Sequence, residues 1–479
     1  MTGKLDLTMR IMFTALLFLP LISGVILKKL GKLDDDKLCA LIILTGIFLR
    51  VIYIFHTKIT IRQHDVGDFD PDGGGHSGYI LYLLYNRRLP DFDPRYVDQF
   101  YHPPLHHIIC ALWLKFLKLF GADTSQSVFE TIQALTLGYS SMFCLLAYKS
   151  MKRLRLESSG LIMGTALVTF HPTLIILSGS INNDMLSGLF GMAAVYFTIK
   201  WSQDKKRLSI IAIAFSFGLG MMTKLSVVLL APAVASVFLI VMIKNKDSLK
   251  KYILQFFVFG IISVPIGLFW VIRNYIKFGV PINYVPLLPD TAAQYIDVPP
   301  LKRLTDLSLY QLSSPYTQWV PDGSKYNEFN PVIALFKNAM FDEGTYFRKC
   351  PNLQSCCSVL FFCNIIVSIL SVIALVMIWV KFSKLNIEHK LLITGVSAVI
   401  FLSYIAFCLK FPHVCTQNMR YCIPLIFTSA VVCGMFVGRD DLSGKFFTSC
   451  QKALKKSTAA FCLLSTIMFV SLAFYYRPR

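Results

Sequence analysis

The sequence has 479 residues, 55% of them hydrophobic and only 15% charged, with a mean hydropathy of +0.59. A soluble domain cannot hide that much apolar surface, so the class is an integral membrane protein. A net charge of +20 would suit a nucleic-acid partner, but the Lys and Arg fall in short clusters between apolar runs, where they orient a chain in a bilayer instead.

Apolar runs long enough to cross a membrane fall at 10–27, 38–56, 131–149, 160–178, 184–201, 208–222, 225–243, 253–272, 358–380, 390–409, 421–438 and 457–475. They predict an all-α polytopic protein of about 12 transmembrane helices. The first run is followed by "KKLGKLDDDK" and lacks a small-residue cleavage site, so it reads as a retained span. The run Leu105–Phe120 opens with prolines and carries Lys115 and Lys118, which suits an interfacial helix lying on the outer surface.

Charge supports that reading. With 105–120 left out of the spans, the loops 28–37, 149–158, 200–207, 244–251, 381–390 and 439–456 share one side and carry 24 Lys and Arg. The opposing short loops hold only Lys224, Lys410 and Arg420, a positive-inside pattern. The chain then divides into two first spans (1–56), an outer catalytic loop with the interfacial helix (57–130), a transmembrane core (131–272), an outer capping loop (273–357) and C-terminal spans (358–479). Loops as long as the two outer ones are usually functional. The thirteen Cys lie mostly in apolar runs, as small core residues, and "CPNLQSCC" lacks paired zinc spacing.

The polar residues with chemistry to offer gather on the outer side. The stretch "IRQHDVGDFDPDGGGHSGY", 61–79, holds five Gly, four Asp and two His. Its DPDGGG centre reads as a turn. Asp65, beside His64, is a candidate general base or a hard oxygen ligand for Mg²⁺ or Mn²⁺, with Asp68, Asp70, Asp72 and His76 as weaker candidates. "QFYHPPLHH" offers His102, His106 and His107 for phosphate or hydroxyl contacts, against simple interface anchoring. In "SINNDM", Asn182, Asn183 or Asp184 is either a helix N-cap or a second acidic contact facing Asp65. Lys224, Arg273 with Asn274, and Arg420 with Tyr421 place cations at the outer ends of helices, against the local charge rule; they suit a phosphate, although such side chains also snorkel to headgroups. Arg50 lies inside the second span and needs a partner or cavity. Together these residues describe one outward cavity for an anionic, lipid-linked substrate.

The order of "GYILYLLYNRRLPD", "YHPPLHHIICALWLKFLKLFG", "INND", "MTKLSVVLLAP", "RNYIKFGVP" and "MRYCIP" resembles the membrane glycosyltransferases of the GT-C fold, especially the aminoarabinose transferases and protein O-mannosyltransferases. The resemblance covers roughly residues 38–280 and 419–424. It implies a sugar carried on a polyprenyl phosphate, transferred to a lipid, glycan or protein acceptor on the non-cytosolic face of a bacterial plasma membrane, in the service of envelope glycosylation. It implies Asp65 as the catalytic carboxylate, His102 and Lys224 near the lipid phosphate, and Asp184 as the second acidic position, with a divalent cation at Asp65 and Asp184 as an option. The family places an Asp-Glu pair shortly before the loop tyrosine. Here Tyr79 follows "GGGHSG", so the base shifts upstream to Asp65 or Asp72, with His76 in the place of the Glu. A single inverting displacement needs one base and no acid, because a phosphate leaves without a proton. A multi-pass transporter or lipid flippase is the alternative; the sequence lacks internal repeats, and its charges cluster at one face rather than at the midplane.

Overall fold

The computed structural model describes residues 2–62, 65–123, 125–307, 309–317, 328–343, 347, 350–381, 385–439 and 444–475. Among the described residues there are twenty α-helices and no named strand, only an isolated antiparallel bridge between Tyr295 and His413. Eight helical segments are long and apolar enough to cross a membrane: Thr8–Lys29, Asp35–Phe55, Leu225–Lys244, Lys246–Phe278, Pro351–Lys381, Ile387–Lys410, Val414–Val437 and Lys445–Phe474. The predicted spans at 131–149, 160–178, 184–201 and 208–222 take another form. The helices Gln133–Arg153, Asp184–Asp204 and Arg207–Met221 are present, but 160–178 is broken into Ser158–Thr169 and Pro172–Leu177. His171–Pro172 makes that break, since the residue before proline is pushed out of the helical region; His171 has φ −66° and ψ 121°.

Local sequence sets several of the helix ends. In "LDDDK", Asp34 caps the second span by accepting the Lys37 N–H at 2.8 Å, and Asp35 and Asp36 complement the positive end of the helix dipole. The Leu249–Phe278 helix stops at Gly279 in the left-handed region. The Ser158–Thr169 and Ile423–Val437 helices cross backbone to backbone: a Cβ on Gly160 would lie 2.1 Å from the Gly434 carbonyl oxygen, so only glycine permits that approach.

One large apolar core runs through the membrane helices. A second, smaller core belongs to the 57–132 segment, where Ile59, Tyr79, Leu84, Phe100, Leu114 and Phe129 pack together. The Leu105–Lys118 helix has fourteen residues, about 21 Å of rise against a hydrocarbon core of roughly 30 Å, so it does not span. It buries His106, His107, Cys110, Ala111 and Leu114 against the Gly75–Asn86 helix, and it leaves Leu112, Phe116, Leu119 and Phe120 exposed. That two-faced character matches the interfacial placement expected from its sequence.

Two fastenings join this segment to the membrane helices at the same end. Leu105 N–H donates to the Met222 carbonyl at 3.1 Å, and the Trp270 indole donates to the Tyr101 carbonyl at 3.1 Å. The "YHPP" turn therefore sits against the Lys224 turn and the Leu249–Phe278 helix.

Candidate functional site

The glycine-rich stretch shapes the site first. Gly75 has φ +82°, and a Cβ there would lie 2.5 Å from the nitrogen and Cα of Gly67. Only glycine lets the two backbone strands touch so closely at such a dihedral. Across that contact the N–H of His76 donates to the Asp65 carbonyl at 2.8 Å, and Ser77 donates to Val66 at 2.8 Å. The start of the Gly75–Asn86 helix thus pins the loop that carries Asp65. Asp65 itself has φ +59°, a conformation that Asp tolerates better than most residues.

A cavity of about 610 Å³ opens beside this loop. Asp65, His76 and His102 line it together with Asn183, Asp184, Lys224, Arg420 and Tyr421. Its apolar wall continues down membrane helices through Val228, Val271, Ile400 and Phe407. Residues far apart in sequence converge here at breaks in the helices. Lys224 lies in the break between the Arg207–Met221 and Leu225–Leu230 helices, and Arg420 lies in the short Met419–Cys422 turn, which Asn418 caps at 2.9 Å.

The charges inside the cavity are paired. Asp184 is 2% exposed; one oxygen pairs with Lys224 Nζ, and the other lies 3.9 Å from Arg420 Nη1. Arg420 Nη1 also lies 3.7 Å from Asp65 Oδ2, and that carboxylate is 43% exposed. Arg420 Nη2 donates to the Tyr421 hydroxyl at 3.1 Å, and the Lys224 ammonium sits 4.9 Å from the centre of the Tyr421 ring, a cation–π contact. The two carboxylates therefore differ in character. Asp184 is a buried counter-ion that holds both cations in place, whereas Asp65 is open to the cavity with one looser ion contact.

The "INND" turn does not form the side-chain N-cap that its composition allows. Asn183 occupies the cap position but donates to the Thr223 carbonyl at 3.0 Å, tying this turn to Lys224. Asn182 Oδ1 takes the Asp184 N–H instead, at 3.2 Å.

A histidine group forms the other wall. His76 Nδ1 and His107 Nε2 are 2.9 Å apart, the rings of His76 and His102 stack with centroids 5.9 Å apart, and His106 Nε2 donates to the Ile181 carbonyl at 2.8 Å. Burial, reinforced by nearby cations and neighbouring imidazoles, holds His76, His102 and His107 well below the ordinary histidine value. Burial brings His106 down to about 4. All four rings are neutral at physiological pH.

Other expected residues fall outside the cavity. Asp72 is exposed, its N–H bonded to Asp70 Oδ1 at 3.0 Å within the turn, and Asp68 is exposed too. Tyr79 is buried, stacked between Phe100 and His107. Arg273 donates to the Pro90 carbonyl at 2.6 Å and to Asn274 Oδ1, so it fastens the 57–132 segment to the Leu249–Phe278 helix, while Asn274 lines the cavity. His64 lies outside the described residues. Tyr101, the tyrosine of "QFYHPPLHH", lines the cavity as well, whereas sequence reasoning missed Asn418, whose amide donates to Asp342 at 2.8 Å and Glu343 at 2.7 Å. No sequence signal marks those partners, since they meet only through tertiary contacts.

A divalent cation at Asp65 and Asp184 is a poor fit to this donor set. Among the described residues no group of three His, Cys, Asp or Glu side chains is placed to share an ion, and both carboxylates already face the Arg420 guanidinium.

Interrupted membrane helices, the packed helix pair of the 57–132 segment and a cavity of carboxylates and cations at one end together define the class: a multi-pass membrane protein whose fold resembles that of an archaeal oligosaccharyltransferase. Residues 101–270 match the family described as Dolichyl-phosphate-mannose-protein mannosyltransferase. Among solved structures, the apo oligosaccharyltransferase of Archaeoglobus fulgidus is similar at a TM-score of 0.50 and 11% identity, covering 92% of this chain and 56% of that one. The chain thus spans little more than half the length of that enzyme. The oligosaccharyltransferase AglB from the same organism, in complex with an inhibitory peptide and a dolichol-phosphate, matches at a TM-score of 0.47 and 12% identity, with coverage of 92% and 56%. ArnT from Cupriavidus metallidurans bound to undecaprenyl phosphate matches at 0.36 and 14% identity, covering 82% of this chain and 76% of that one. No curated protein matches the sequence.

Proposed function

We propose that the protein is a glycosyltransferase that moves a sugar from a polyprenyl-phosphate donor to an acceptor hydroxyl, with inversion, on the non-cytosolic face of the membrane. The observation that carries the reading is a single one. Asp65, open and half-exposed, shares a cavity with Lys224 and Arg420 at the head of an apolar groove between membrane helices. The match of residues 101–270 to a family named for a dolichyl-phosphate-linked sugar supports a lipid-phosphate donor.

In this mechanism the acceptor oxygen attacks the anomeric carbon while Asp65 takes its proton. The bond from that carbon to the phosphate oxygen breaks, and the lipid phosphate leaves with the electron pair. Lys224 and Arg420 meet the charge that develops there, so no general acid is required. Asp184 keeps both cations at the cavity wall. Acceptors of three kinds fit an open cavity of this size: a lipid, a glycan or a protein.

The test is to incubate purified protein in detergent with polyprenyl-phosphate sugars and to measure release of polyprenyl phosphate. Asp65→Asn should slow release by about a hundredfold or more, the scale of a lost general base. Equal release by wild type and Asp65→Asn would remove Asp65 from the mechanism. No release from any donor, together with lipid movement across liposomes, would favour a flippase.

A further inference from the structure

The proposed reaction leaves one built feature without a role: the hydrogen-bonded pair His76 and His107. His76 lines the cavity and is 2% exposed; His107 lies behind it, fully buried. Their bond at 2.9 Å uses His76 Nδ1 and His107 Nε2, so Nε2 is the nitrogen His76 keeps for the cavity. One proton lies between the two rings, and its owner decides what His76 offers.

The second nitrogen of His107 settles the choice. His107 Nδ1 is buried and has no hydrogen-bond partner. If His76 donated, the proton of neutral His107 would have to sit on Nδ1, leaving an orphaned N–H in an apolar wall against the Tyr79 ring. If His107 donates through Nε2, its Nδ1 carries only a lone pair. Orphaned buried N–H groups are the rarer and costlier of the two. His106 gives a precedent one residue away. Its Nε2 must donate, because the Ile181 carbonyl can only accept, and its Nδ1 is likewise buried without a partner.

We infer that His107 is a positioning residue that locks His76 in the Nε2–H tautomer, so that His76 presents a neutral N–H donor to an anionic oxygen of the bound donor's phosphate. His76 is then no general base, which leaves that role to Asp65. It joins Lys224 and Arg420 as a third donor toward a phosphate, without adding a charge that the buried wall would have to solvate. The tautomer follows from the histidine pair alone; the phosphate rests on the proposed function.

Two measurements separate these parts. The full-length protein, labelled with ¹⁵N-histidine and held in detergent at pH 7.5, is read by NMR, with the His76 signals assigned by their loss in His76→Gln. A protonated Nε2 with a bare Nδ1 is expected. The reverse tautomer, or an imidazolium, overturns the inference whether or not any lipid binds. Binding of a polyprenyl phosphate in micelles is then compared among variants. His107→Leu should weaken it by about tenfold, the scale of one hydrogen bond to a charged group, and His107→Gln, whose amide can still donate to Nδ1, should restore it to within about threefold. Equal binding by both variants and wild type overturns the phosphate contact. Absence of binding by wild type counts against the proposed function and leaves the tautomer to the NMR result.

Discussion

Lys224 and Asp184 form an ion pair across forty residues of chain, and Arg420 approaches the second oxygen of the same buried carboxylate at 3.9 Å. This one buried carboxylate therefore faces two cations, and it shares Arg420 with the more open Asp65 at 3.7 Å. Removing either cation leaves Asp184 the other, but neutralising Asp184 takes the paired carboxylate from Lys224 and leaves Arg420 the looser contact with Asp65. Asp184→Asn should cost about 3–5 kcal/mol, the scale of stranding a buried charge, and Lys224→Met clearly less. Thermal unfolding in detergent measures both. Equal or inverted losses would show that the three groups are not coupled. Donor binding should fall in both variants, because the cations lose either their position or their number.

Gly75 offers a cleaner test of how Asp65 is placed. Gly75 and Gly121 have nearly the same dihedral, φ +82° and +83°, but a Cβ on Gly121 meets nothing within 4 Å, whereas one on Gly75 meets the Gly67 backbone at 2.5 Å. Gly121→Ala should therefore cost only the left-handed backbone term, about 1–2 kcal/mol. Gly75→Ala adds the clash, so its loss should be larger, and activity should drop with it because the His76–Asp65 backbone bond opens. If the two variants lose the same stability and activity, the close contact has no part in placing Asp65.

These residues also show what the sequence makes legible. Lys224, Arg420 and Asp184 stand out because a charge beside an apolar run is costly, and the structure gathers all three in one cavity with Asp65. The glycine run reads locally as a turn, yet its reason is a contact eight residues away, which no local pattern encodes. Arg273 and Asn274 are adjacent in sequence yet differ in role. Neighbours on a helix point about 100° apart, so one fastens the segment that carries Pro90 while the other lines the cavity. Eight of the twelve expected spans are helices long and apolar enough to cross a membrane, and the other four fall short of that measure for a related reason. Helices such as Gln133–Arg153 carry Gln133, Thr136 and Ser140 toward protein neighbours, so hydropathy alone does not separate a lipid-facing span from a buried helix.

Arg50 illustrates a charge explained by a helix end rather than by a counter-ion. It is 1% exposed, and its guanidinium donates to Ser140 Oγ at 2.8 Å, the Gly46 carbonyl at 3.0 Å and the Thr169 carbonyl at 2.9 Å. Thr169 ends the Ser158–Thr169 helix, where the chain breaks at His171–Pro172 and the last carbonyls lack helical partners. The cation sits at the negative end of that dipole. Arg50→Leu should destabilise the protein by about 2–4 kcal/mol by orphaning buried oxygens, and Arg50→Lys should recover only part, since one ammonium cannot reach the same fork of acceptors. Melting temperatures in detergent give the order. A neutral Arg50→Leu variant would mean that water or a neighbour satisfies Thr169 instead.

Acid should unfold the protein through its histidine wall. His76, His102, His106 and His107 are held below the ordinary value of 6.5 by burial first, His106 down to about 4. Below pH 6.5 the unfolded chain binds protons that these folded rings refuse, so stability is complete above pH 7 and falls as pH drops toward the folded values. For His106 the window runs from 6.5 to about 4. Each such ring contributes a slope of about 1.4 kcal/mol per pH unit inside its window. Melting temperatures taken from pH 7.5 to 5 should therefore be flat at first and then decline steeply. His106→Gln removes one titrating ring and should make the decline shallower, even if it lowers stability at pH 7.5. A profile as steep as that of wild type would place the acid sensitivity outside this wall.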